Sequence, residues 1–175
     1  CSIFVETFAN NNAGWTLGTE WEIGSATAST DHDDGNPDPG TDHTVGSDNG
    51  VAGGVIGGNP DVSSLHGYYY MTSPVINTAF TTELYLSFWR WLNSDYTPYM
   101  QNVIEVYDGT AWQVVYETGG SPGVQDNAWT EVTYDLTPYR NAAMQVRFGF
   151  QVDSTGAFTV SSWNIDDVRL QTACP

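Results

Sequence analysis

Six carboxylates crowd residues 31–50, DHDDGNPDPGTDHTVGSDNG, and no Lys or Arg sits among them. Gly, Pro and Asn break the run as they break ordered turns, whereas a solvated acidic tail runs on without such punctuation. A hard cation such as Ca²⁺ gathers roughly six to eight oxygens from carboxylates, Asn side chains, backbone carbonyls and water. This stretch supplies those donors, so an ordered cation-binding loop is the expectation and a solvated acidic loop without a fixed ion is the alternative. No EF-hand register fits: Asp31 and Asp33 are correctly spaced, but the glycine and the closing Glu are not where that motif needs them.

Other residues with chemical potential are scattered. Glu6 shares a strand face with Phe4 and Phe8, where a carboxylate needs a partner; it reads either as a cation ligand reaching the acidic loop or as an edge residue facing water. Near the far end, Asp166 lies in phase with Val168 and Leu170 and is expected to be buried and to need an ion or hydrogen bonds, whereas Asp167 is expected to face outward. The histidines, His32, His43 and His66, lie among acidic and Gly-rich turns as transition-metal ligands or as loop-stabilising groups. Glycoside hydrolysis or polysaccharide cleavage would need two carboxylates flanking one sugar, and Glu105 and Glu131 are the candidates. Aromatic rings in a row can stack on pyranose faces; Tyr96, Tyr99, Trp112 and the run Tyr68–Tyr70 are the candidates for a ligand-binding surface, with ordinary packing as the other reading. There is no nucleophile elbow, Walker loop, HExxH or cysteine-based metal site.

Composition narrows the partners. The 175 residues carry four Arg, no Lys and 21 Asp plus Glu, a net charge of −17. Such a field repels phosphate backbones and anionic bilayers, so nucleic acid and anionic membrane surfaces are poor partners, and divalent cations or basic proteins are better ones. No apolar run is long enough to span a bilayer and no signal peptide is visible, so the chain reads as a soluble piece of a larger multidomain protein. Cys1 and Cys174 are the only cysteines. Three readings stay open for them: a disulfide tying neighbouring end strands in an oxidising compartment, unpaired boundary residues, or a lipid-modified Cys1.

These residues have to be positioned by strands. Twenty-four aromatic side chains are mixed with Val, Ile and Thr, which is strand chemistry. Residues 84–92, LYLSFWRWL, are apolar or aromatic on both faces and therefore form a central, covered strand. Residues 103–107 and 111–117 form a hairpin about Asp108-Gly109. Residues 51–58 read as a Gly-rich strand approached closely by another backbone. Residues 2–8, 67–73, 128–136, 144–152 and 158–170 supply further strands. About ten short strands with no convincing helix predict one all-β domain over 1–175, built as two packed antiparallel sheets.

Several stretches carry a family likeness: Glu6-Thr7-Phe8 with Gly14-Trp15, Asp42-His43-Thr44 before the Gly-rich 51–58, Thr72-Ser73-Pro74, the strand of residues 86–91, and the closing Asn164-Ile165-Asp166-Asp167-Val168. In that order they resemble the MAM domain family, above all the bacterial MAM-like modules of secreted metalloproteases and surface proteins. The internal cysteine pairs of many members are absent. The resemblance implies a jelly-roll sandwich, extracellular or at the cell surface, that binds glycans or cell-surface proteins without catalysis and holds one structural Ca²⁺. It implies Glu6, Asp42 and Asp166 or Asp167 as the cation ligands. Alternatives are a carbohydrate-binding module of a polysaccharide-degrading enzyme and a jelly-roll glycoside hydrolase or lyase.

Overall fold

The computed structural model describes residues 2–44 and 46–173; the Cys1–Cys174 disulfide considered above lies outside them. The chain passes through β1 (Ser2–Glu6), β2 (Thr16–Leu17), β3 (Trp21–Ser25), β4 (Gly50–Gly54), β5 (His66–Thr72) and β6 (Tyr85–Ser94). It continues through β7 (Met100–Tyr107), β8 (Trp112–Glu117), β9 (Val124–Gln125), β10 (Thr130–Asp135), β11 (Val146–Val152) and β12 (Trp163–Gln171), with a 3-10 turn at Thr137–Tyr139. All recorded pairings are antiparallel. One sheet orders β10-β6-β12-β4-β3, with β1 added to β12 and β9 to β6; the other orders β2-β5-β11-β7-β8. This is the two-sheet antiparallel sandwich expected, with neighbours far apart in sequence as in jelly rolls.

Alternation explains the layers. Leu86, Phe88 and Leu92 of β6 face Ile104 and Val106 of β7 and Phe148 and Phe150 of β11 across the interior. Phe148 sits at the centre, edge-on to Phe88 at 5.2 Å and to Trp163 at 5.6 Å between ring centroids. Each such ring withdraws about 2–3 kcal/mol worth of apolar surface from water.

β12 organises the rest. One edge pairs with β6 along most of its length; the other is divided between β4, at Asn164 and Ile165, and β1, at residues 168–171. First and last strands are therefore neighbours. The strand also changes phase midway: Trp163 and Ile165 face the core, and so do Val168 and Leu170, which a strand of period two cannot do unaided. A bulge between Asp166 and Arg169 takes up the extra residue, and Asp167 there adopts a left-handed φ of 50°, a conformation Asp tolerates better than most residues. Counting back from Val168 therefore gives the wrong face. Asp166 shares the outer side with Asn164, and Asp167, expected in solvent, is buried.

The Gly-rich strand behaves as its composition implies. A Cβ on Gly50 would lie 2.2 Å from the Phe8 carbonyl oxygen, so β4 runs where only glycine lets the first loop pass. The four cations are all engaged. Arg90 grips Asp126 through Nε and Nη2 at 2.8 and 3.0 Å. Arg140 donates to the Thr137 and Thr81 carbonyls, Arg147 pairs with Glu105, and Arg169 reaches Asp167 at 3.9 Å.

Candidate functional site

A sandwich has two outer faces, and here the acidic loop covers one. Residues 26–44 cross the seven-stranded sheet over Trp89, Trp91 and Trp129. The Trp91 indole donates to the Pro37 carbonyl at 3.0 Å and the Trp129 indole to the Thr41 carbonyl at 3.1 Å. The His43 ring stacks on Trp89 with 3.6 Å between centroids and 12° between planes. Aromatic residues on both faces of β6 are thus accounted for: one face is core, the other lies under the loop.

Two carboxylates fasten the loop in opposite directions. From the loop, Asp38 accepts the Ser162 amide at 3.0 Å, the Asn164 side chain at 2.8 Å and the Gly57 amide at 3.1 Å. From β12, one oxygen of Asp166 accepts the His43 and Thr44 amides at 2.9 and 3.0 Å and the Thr44 hydroxyl at 3.1 Å; the other accepts the Asp167 amide at 2.7 Å. Burial pushes both carboxyls up from the ordinary 3.8 to about 6, against the hydrogen bonds that pull them down. Asp167 pairs with His43 Nδ1 at 2.7 Å and accepts the Thr44 hydroxyl at 3.0 Å.

The expected cation ligands therefore do not form one centre. Glu6 is buried on β1, but its carboxylate accepts the Phe8 amide at 2.8 Å and the Trp15 indole at 3.2 Å, a role neither reading of it foresaw. Asp166 spends its oxygens on amides. Among the described residues no three His, Cys, Asp or Glu are arranged to share a metal ion. Of the expected ligands, Asp42 keeps a buried carboxylate oxygen without a partner, as Glu20 does elsewhere; burial, then the nearby charges of Asp48 and Asp167, raise its pKa, with His43 opposing them. Of the other histidines, His66 stacks on Tyr69 at 3.7 Å.

The outer face of the five-stranded sheet carries a different set of residues. Tyr68 and Tyr70 of β5 lie side by side at 5.6 Å, and Tyr107 of β7 meets Trp112 of β8 at 5.6 Å. All four rings are partly exposed, and Val114 beside them is 48% exposed. Between the two aromatic pairs lies Arg147, whose Nε bonds Glu105 at 2.7 Å. Gly149 makes room for the Tyr70 ring, which a Cβ would meet at 2.6 Å. Burial first, then Glu105 beside its hydroxyl, push Tyr70 up to about 12. Trp112, Tyr68 and Tyr70 thus lie on one surface, whereas Tyr69 between them turns inward and packs edge-on against Phe150 of the core. Alternation along residues 144–152 puts Arg147 on the polar side of its strand, but nothing local marks it as a site residue, because its partners come from strands distant in sequence.

Tyr96 and Tyr99 occupy the turn between β6 and β7, edge to face at 5.7 Å and partly exposed. The Tyr99 carbonyl accepts the Asp153 amide, and the Asp153 charge is one of those raising Tyr68. The turn therefore adjoins one end of the aromatic face. The carboxylates considered for glycoside chemistry are parted: Glu105 lies on the outer face of the second sheet, while Glu131 on β10 pairs with Trp89 on the outer side of the first. They cannot flank one sugar.

No family profile and no curated protein matches this chain in sequence. Its fold is shared with solved structures. The K1 cleaved adhesin domain of Lys-gingipain from Porphyromonas gingivalis W83 matches with a TM-score of 0.56 at 15% identity, covering 98% of each chain. TmCBM61, solved in complex with β-1,4-galactotriose, matches at 0.52 and 11% identity over 96% of this chain and 99% of that one. SGBP-B from a xyloglucan utilization locus of Bacteroides uniformis matches at 0.57 and 14% identity; the chain spans 50% of its length. The neighbours are adhesin and carbohydrate-binding β-sandwiches, and the MAM resemblance gains no separate match.

Proposed function

We propose that this chain is a non-catalytic extracellular module of MAM-like type that binds glycans through the outer face of its five-stranded sheet. The observation that carries the reading is the row Tyr68, Tyr70, Trp112 and Tyr107 around the Arg147–Glu105 pair, on the face the acidic loop leaves open. Flat apolar rings beside fixed polar groups suit a sugar, whose C–H faces stack while its hydroxyls bond. Sandwiches of the same shape support it: one is an adhesin domain and another was solved with a galactotriose. In affinity electrophoresis through neutral polysaccharide gels the chain should be retarded, and Trp112→Ala should lose most of the retardation. Free migration through every gel would end the glycan reading. A cell-surface protein with a basic patch is the second reading, favoured by the charge of −17.

Calcium belongs to this proposal at one oxygen only. A divalent ion at Asp42 would satisfy its unpartnered oxygen and the charges that raise its pKa. Ca²⁺ held only by the native state raises the melting midpoint relative to chelator, and Asp42→Asn should abolish the rise. An unchanged midpoint removes calcium from the function.

A further inference from the structure

The open aromatic face has a polar centre that packing alone does not explain. The register sets Arg147 directly opposite Glu105. The guanidinium carbon lies 3.9 Å from the Tyr70 ring centroid and 3.9 Å from that of Trp112, so the group is clamped between two aromatic surfaces. A guanidinium is a planar fork of five N–H donors. Arg90 spends both Nε and Nη2 on Asp126, and Arg140 spends Nε and Nη1 on carbonyls. Arg147 spends Nε alone among the described residues, and its side chain is 21% exposed. The far edge of the fork is therefore unspent, and the clamp and the ion pair hold it in a fixed direction.

The acceptor that suits this edge follows from charge. Carboxylate and sulfate ordinarily make the strongest pairs with arginine. Here Glu105 already balances the guanidinium, and Glu117 and Asp153 lie close enough to Tyr68 to act on it. An anionic ligand would enter a negative field on a chain of −17. Hydroxyl oxygens accept the same N–H groups without that repulsion.

Building on the glycan reading above, we propose that Arg147 is a specificity-determining residue. Its free guanidinium edge donates to neighbouring hydroxyls of an uncharged sugar, and Glu105 turns away uronates and sulfated glycans. Lys keeps the charge but loses the planar fork and its stacking, and Gln at 105 keeps the shape but loses the repelling charge.

The test is affinity electrophoresis of the whole chain in hydroxyethylcellulose, galactan, polygalacturonate and heparin gels, beside R147K, E105Q and W112A. The unmodified chain should be retarded by a neutral polymer and by neither acidic one. R147K should bind the neutral polymer about tenfold or more weakly, and E105Q should gain retardation in polygalacturonate or heparin. Melting curves accompany each variant; if R147K is destabilised, E105Q, which keeps the arginine and its clamp, decides the matter. Neutral binding that R147K leaves intact, or acidic-polymer rejection that survives E105Q, overturns this inference and leaves the glycan reading standing. No retardation of the unmodified chain overturns both.

Discussion

Asp166 accepts four protein donors and is wholly buried. Asparagine has the same shape but must turn an NH₂ toward at least one of those donors. Asp166→Asn should therefore cost about 2 kcal/mol, read as a lower urea midpoint at unchanged slope. At this scale the sequence was legible in part. The run NIDDV in a strand context marks a buried polar residue that needs satisfaction, and the structure agrees. The satisfying groups are two loop amides, the Thr44 hydroxyl and the Asp167 amide, and no periodicity reveals the bulge that turns Asp166 outward. Trp112 could be read because a tight hairpin fixes its neighbours locally. Arg147 could not, because Tyr70, Glu105 and Trp112 reach it through three strand registers set only by the assembled sheet.

Among elements, β4 is the least forgiving. Alanine at Gly50 drives a methyl group into the Phe8 carbonyl, where neither backbone has room to shift, and should cost about 3 kcal/mol. Gly67→Ala on β5 meets nothing within 4 Å and serves as the control, with an expected change within about 0.5 kcal/mol. Thermal melting of the two variants checks both values. Strands with clear alternation, such as β6, β7 and β11, lie close to where their patterns put them. The stretch before Trp163 does not: residues 158–162 read as strand but are turned to the loop, with the Thr159 carbonyl accepting the Asp33 amide and Ser162 donating to Asp38. Loop docking there overrides β propensity, and that is a tertiary effect local pattern cannot carry.

For the molecule as a whole, acidity and stability are linked in an uncommon direction. Asp38 and Asp166 ionise in the folded state at about 6, above the ordinary 3.8. Between those values the folded chain binds more protons than the unfolded one, so stability falls as pH rises through the window. Exposed Asp61 and Asp135 and half-buried Asp108 are held below 3.8 by local hydrogen bonds; their contribution is present above 3.8 and is lost as pH falls beneath it. The melting midpoint should thus rise from pH 7 to pH 5 and decline below about 4, and Asp38→Asn should flatten the first limb. Added salt at pH 7 should also raise the midpoint by screening a charge of −17.

The tethering of the four arginines has one more effect. Enzymes that cut after basic residues need several residues of slack backbone around their target. This chain offers no lysine, and Arg90, Arg147 and Arg169 are woven into β6, β11 and β12 while Arg140 is tied down beside its 3-10 turn. Trypsin should leave the folded chain whole for as long as it stays folded, and digest it once urea loosens the sheets. In a milieu thick with such hydrolases, a scaffold of this kind would outlast its neighbours.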